Sequence, residues 1–212
     1  MHSPNLIPRV ILALIASLAG AACSDGIPTQ ASAPGPLSTI AAHSPSHLKS
    51  SGTVGFTSTP PAYTQLDAAS AGGSGGALSL AVDVQGEIPR FPDSYMQSVA
   101  VFGYAWLNAS LTGVVAVIHP VIGADSRQNP AGWHTHPVQL AGGTAASDLC
   151  VASIGTSEGG ISIQGDGLGL QMSQNLAGVA GGDLAIAAAF IVQGDPGCTS
   201  GLGVHVLSAK GL

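Results

Sequence analysis

The sequence predicts an all-β protein, an antiparallel β-sandwich (Greek-key or jelly-roll-like) of about nine strands behind a disordered N-terminal tether. Three observations predict this fold. The 212 residues are 45% hydrophobic but only 4% aromatic, and they include 30 glycines, which favours strands built from small residues. Short apolar runs recur between turn residues at nearly regular spacing. Because no helical periodicity separates these runs, neighbouring strands are expected to pair as antiparallel sheets.

Nine segments from Ala77 onward have the composition of strands bounded by turns. In chain order they are ALSLAVDVQG, SVAVFGYAWLN, TGVVAVIHP, WHTHPVQLAGG, DLCVASIG, GISIQ, LGLQMS, DLAIAAAFIVQ and GLGVHVLSAK. Turns are predicted at Gly165-Asp166-Gly167 and at Asp195-Pro196-Gly197. The alanines of DLAIAAAFIVQ also suit a helix, but the flanking glycines and Ile191-Val192 favour a strand.

The chain divides into a signal peptide (1–22), a tether (23–76) and a β-sandwich domain (77–212). Ser, Pro, Gly, Ala and Thr dominate the tether. Such a segment buries too little apolar surface to offset the entropy of ordering it, so we expect it to be mostly disordered.

The first 23 residues resemble a bacterial lipoprotein signal. A short basic start leads into an apolar run, Val10 to Leu18, and small residues precede Cys23. The resemblance implies that Cys23 is acylated and anchors an exported protein to a membrane, at the outer membrane, periplasm or cell surface. Gly20 stands where such signals commonly carry Leu, so ordinary cleavage near Ala22, followed by secretion, stays open.

Three cysteines leave one unpaired in an exported protein. If Cys23 carries lipid, Cys150 and Cys198 remain as a pair, and a disulfide persists in an oxidising compartment. The alternative is two buried free thiols. We predict the disulfide, which would stabilise the fold by roughly 4 kcal/mol.

The distribution of charge excludes one class of partner. The formal net charge is −6, and beyond the signal segment the fixed cations are Lys49, Arg90, Arg127 and Lys210. Four scattered cations cannot neutralise a nucleic-acid backbone. The sequence therefore predicts no nucleic-acid partner.

Residues 132–143, GWHTHPVQLAGG, contain a His-x-His pair. Because alternate residues of a strand share a face, His134 and His136 are expected on the inner side with Val138 and Leu140. Buried imidazoles need partners for their ring nitrogens, since an unpaired buried polar group costs about 1–3 kcal/mol.

A metal would supply such a partner, and two parallel imidazoles suit copper or zinc if further ligands join them. The candidate further ligands are His119, His205 and Asp125. The alternative, which a lone His-x-His pair more often represents, is a pair of structural histidines bonded to loop carbonyls or to Asp125.

Two short segments resemble copper/zinc superoxide dismutases. GWHTH is similar to the Gly-aromatic-His-x-His strand of that family, and GCTSG followed by His205 is similar to its half-cystine loop. In the family the Cys segment follows the His pair almost immediately, whereas here Cys198 lies 62 positions after His136 with no histidine between. We therefore do not predict dismutase activity from this resemblance.

Enzymatic function has little support. GTSEG (155–159) and GGSGG (72–76) fit G-x-S-x-G, but a nucleophile elbow needs a strand that leads into a helix, and a strand follows Ser157. We assign no catalytic residue.

Phe102, Tyr104 and Trp106 share one strand face and form either core or a sugar-stacking surface. The sequence thus favours a non-enzymatic binding or structural module at the cell envelope, with a protein or carbohydrate ligand. The alternative is a copper- or zinc-binding protein that uses the His-x-His strand.

Overall fold

The structure, a computed structural model, describes residues 59–119, 132–156 and 159–212. These residues contain ten strands: β1 (Leu66–Ser74), β2 (Ala77–Val84), β3 (Val101–Asn108), β4 (Thr112–Ile118), β5 (His134–Gly142), β6 (Leu149–Ile154), β7 (Gly160–Gln164), β8 (Gly167–Ser173), β9 (Leu184–Gly194) and β10 (Leu202–Gly211). Two short helices, Ser94–Ser98 and Gln174–Ala177, and two 3₁₀ turns, Ala62–Thr64 and Gly181–Asp183, accompany them. The all-β prediction is confirmed, and the alanine-rich β9 is a strand.

The strands form two antiparallel sheets. The small sheet has the order β1-β2-β8-β7. The large sheet has the order β10-β6-β5-β4-β3-β9, and pairing of β9 with β10 closes it into a six-stranded barrel. The two sheets of the predicted sandwich are therefore present, but one of them is rolled on itself.

The first hydrophobic core lies between the small sheet and the barrel wall. Leu78 and Leu80 of β2 pack there against the fully buried aromatic side chains of β3. The Tyr104 hydroxyl donates to the Tyr63 carbonyl oxygen at 2.8 Å, and Trp133 stacks on Tyr104 with ring centroids 5.6 Å apart. Phe102, Tyr104 and Trp106 are thus core residues, and this strand presents no sugar-stacking surface.

A second core lines the inside of the barrel. Its members alternate along the same strands with those of the first core, for example Ala105 and Leu107 on β3 and Val115 and Val117 on β4. Strands β3, β4 and β9 are therefore buried on both faces. This double burial explains why their sequences read as nearly continuous apolar runs.

The folded region begins earlier than the predicted boundary at residue 77. Residues 66–74, assigned to the tether, form β1 and pair with β2. Tyr63 and Leu66 are buried in the first core. Ser208 Oγ accepts from the Leu66 amide at 3.1 Å and donates to the Thr64 carbonyl oxygen at 2.7 Å. A segment with few large apolar residues forms a strand here because β2 supplies backbone partners and a few side chains anchor its start.

Within the barrel, β6 and β10 meet at a short seam. Strands β6 and β10 pair at only two positions, Gly203 with Cys150 and Val204 with Leu149, whereas β9 and β10 pair at nine. The predicted disulfide is present: Cys150 of β6 is bonded to Cys198 of the β9–β10 loop, with Cα atoms 5.5 Å apart. It joins the two sides of the seam covalently.

A buried carboxylate reinforces the same region. Asp195, in the β9–β10 loop, accepts from Ser147 Oγ and Thr144 Oγ1 at 2.6 Å each and from the Gly197 amide at 2.8 Å. These bonds, that from Ser147 first, hold the pKa of Asp195 below its ordinary value of 3.8. The predicted turn at Asp195-Pro196-Gly197 is formed, with the Cys198 amide donating to the Asp195 carbonyl oxygen.

Several predictions concern residues outside the described ranges. They are the signal peptide (1–22), the acylated Cys23, the tether over 23–58, Asp125 and Ser157. Among the residues that are described, no helix is long and apolar enough to cross a membrane.

Candidate metal centre

Three histidines meet on the inner face of β4 and β5. His134 pairs in register with Val117, and His136 pairs with Val115. His119 directly follows β4, two residues after Val117, and therefore continues the same inward-facing row. The prediction that His134 and His136 point to the core side is confirmed, since all three histidines are buried.

The three imidazoles lie at ligand-sharing distances. One ring nitrogen from each histidine can be chosen so that all three lie within 4.8 Å of one another. The ring centroids of His119 and His134 are 4.6 Å apart, and those of His134 and His136 are 5.0 Å apart, both pairs edge to face. This group, His119, His134 and His136, is called the histidine triad below.

Backbone carbonyls orient two members of the triad. His134 Nδ1 donates to the Gly132 carbonyl oxygen at 2.8 Å, and His136 Nδ1 donates to the Gly155 carbonyl oxygen at 2.9 Å. A carbonyl oxygen can only accept, so Nδ1 carries the donated proton in both rings, and a metal would be bound through Nε2. Metal-ligating histidines usually donate their other ring N–H in the same way.

The triad could hold a transition-metal ion. Neutral imidazole suits zinc and copper, and three ligand atoms on a tetrahedral ion with bonds of 2.0–2.1 Å lie about 3.4 Å apart. The nitrogens need to move together by at most about 1.4 Å to reach that geometry.

Comparison with known proteins adds no further assignment. No family model, curated protein or solved structure matches this chain.

His205 is not part of the triad. Its neighbours Val204 and Val206 on β10 line the barrel interior, so His205 points to the other face of the strand. Burial is the main cause that lowers the pKa of His205 below 6.5, partly opposed by Asp148 and Asp195. Of the predicted ligands, the structure brings His119 to the His-x-His pair, leaves His205 apart and does not describe Asp125.

The barrel interior contains a cavity of about 270 Å³ next to the triad. His119 and His136 line it, and every other described lining residue is apolar, including Val115, Val138 and Phe190. No pattern in the sequence indicates this cavity. The apolar runs of β3, β4 and β9 predict strands, but they do not predict that the sheet closes around their inward side chains.

Proposed function

We propose that this protein binds one zinc or copper ion through His119, His134 and His136. The observation that carries the proposal is the convergence of three buried imidazoles, two of them with Nδ1 engaged by a backbone carbonyl. The sequence favoured a non-enzymatic binding module with metal binding as the alternative. The third histidine makes metal binding the better-supported of the two.

Metal titration of the purified protein tests this proposal. After treatment with a chelator, the wild type is expected to bind one equivalent of zinc or copper in a calorimetric titration. His136→Gln keeps an N–H that can donate to the Gly155 carbonyl oxygen but removes the imidazole ligand, and we expect it to weaken binding at least about 100-fold. At a metal concentration 100 times the Kd, the wild type gains about 2.7 kcal/mol in free energy of unfolding.

His205→Gln is the matched control, because it removes a histidine that lies outside the triad. It should retain wild-type affinity. Absence of stoichiometric metal in the wild type, or equal affinity in His136→Gln and the wild type, would contradict the proposal. Melting temperatures measured in chelator show whether each variant is folded, independently of metal.

We further propose that the protein works at the cell envelope, held by lipid on Cys23. The lipoprotein-like signal supports this location, and so does the Cys150–Cys198 disulfide, since such bonds persist in oxidising compartments. Fractionation of expressing cells is the test: the wild type should partition with membranes, and Cys23→Ala should move to the soluble fraction. An identical distribution of both proteins would argue against lipidation.

A further inference from the structure

The barrel cavity is enclosed by apolar side chains but reaches the surface at the seam. Ile154 of β6 and Leu202 of β10 both line the cavity, yet 53% and 36% of their respective surfaces are exposed. They lie where β6 runs beyond its two pairs with β10. The open side of the cavity therefore includes this stretch of the seam.

The cavity exists because small residues occupy central inward positions. Ala105 of β3 and Ala188 of β9 are register partners, both are buried, and both line the cavity. Larger side chains at these positions would fill the space, as Leu107 and Phe190 do nearby. A cavity left inside a closed core forfeits packing energy, so it is a cost to the fold unless a ligand occupies it.

We propose that this cavity binds the tail of an aliphatic carboxylate of about eight to ten carbons, with its head group at the histidine triad. The number of carbons follows from comparison with a cavity of known capacity. A cavity of about 150 Å³ accommodates benzene, which has six carbons. By the same ratio, 270 Å³ accommodates roughly ten carbons.

The nature of the head group follows from the coordination of the metal, and here the inference rests on the proposed metal site. A zinc ion held by three protein ligands keeps a fourth position for a water or a substrate. Carboxylate oxygen is a common ligand of zinc. A carboxylate at the head of the ligand would occupy that position beside His119 and His136, which line the cavity.

Calorimetry of octanoate and acetate with the zinc-loaded protein tests the inference. Each buried methylene strengthens binding about fourfold, so octanoate is expected to bind at least about 100-fold more tightly than acetate. Ala188→Leu should weaken octanoate binding at least about tenfold while leaving acetate and zinc affinity unchanged. Its melting temperature should stay at or above that of the wild type, because the added side chain fills existing space.

Ala152→Leu is the matched control, since Ala152 is exposed on β6 and does not line the cavity. It should bind octanoate as the wild type does, and Ala105→Leu serves as a second cavity-filling variant if Ala188→Leu does not fold. Octanoate and acetate affinities within threefold of each other, with zinc bound, would overturn the inference and leave the metal site standing. If zinc itself fails to bind, the proposed function is wrong, and the same comparison in zinc-free protein decides whether the cavity takes the tail.

Discussion

Replacing Cys150 and Cys198 together by alanine is expected to lower the free energy of unfolding by about 4 kcal/mol. The bond spans 48 residues, and closing a loop of that length removes about this much entropy from the unfolded chain. The native state adds a local reason, because backbone pairing between β6 and β10 is limited to two positions. We therefore expect the disulfide to contribute a large part of the stability of the seam between β6 and β10.

Thermal unfolding of the double variant is the measurement. A loss of about 4 kcal/mol corresponds to a fall in melting temperature of roughly 10–20 °C for a domain of this size. Cys23→Ala is the control, since Cys23 is outside the pair, and it should melt with the wild type. A double variant that melts within 2 °C of the wild type would show that the seam holds without the covalent link.

Gly113→Ala is expected to destabilise the fold by about 3 kcal/mol or more, at or beyond the upper end of ordinary overpacking. A Cβ at this position would overlap the carbonyl oxygen of Trp106 and lie 3.0 Å from the Cα of Leu107. Both obstacles are backbone of β3, the paired strand, so no side-chain rotation relieves them. Glycine is needed because the backbone of β3 approaches this position too closely to leave room for a side chain.

Urea denaturation compares this variant with Gly142→Ala. Gly142 is also a barrel-strand glycine, but nothing lies within 4 Å of a Cβ built there. We expect Gly142→Ala to stay within about 1 kcal/mol of the wild type. If both variants unfold at the same urea concentration as the wild type, the tight approach of Gly113 to Trp106 is not a constraint on the fold.

Much of the fold was predictable from the sequence. Strand formation, and the face of a strand on which each side chain lies, both depend on residues that are close together in the chain. The nine segments predicted as strands correspond to β2–β10, and parity along β5 correctly placed His134 and His136 inward with Val138. The Cys150–Cys198 pair followed from counting cysteines. β1 was missed because its residues are mostly small and show no regular apolar alternation, and its order depends on β2 and on anchors such as Ser208, which is distant in sequence.

The candidate site was predictable only in part, because strand pairing, and not closeness in sequence, brings His119 to the other two histidines. His134 and His136 are two residues apart in sequence, so their shared face could be predicted, but three further candidates, His119, His205 and Asp125, stood equally open as ligands. Register between β4 and β5 selects His119. His205 lies on the face of β10 opposite the barrel interior, because its neighbours Val204 and Val206 take the inward positions.

The sequence by itself determined the class of fold, the strands from β2 onward, the disulfide pairing and the inward direction of the two histidines of GWHTH. Tertiary structure decided that the large sheet closes into a barrel, that His119 completes the triad, and that a cavity lies beside it. The physical reason is the range of the forces involved. Turn chemistry and two-residue periodicity act between near neighbours in the chain, whereas barrel closure depends on pairing β10 with both β6 and β9, and no local pattern specifies those partners.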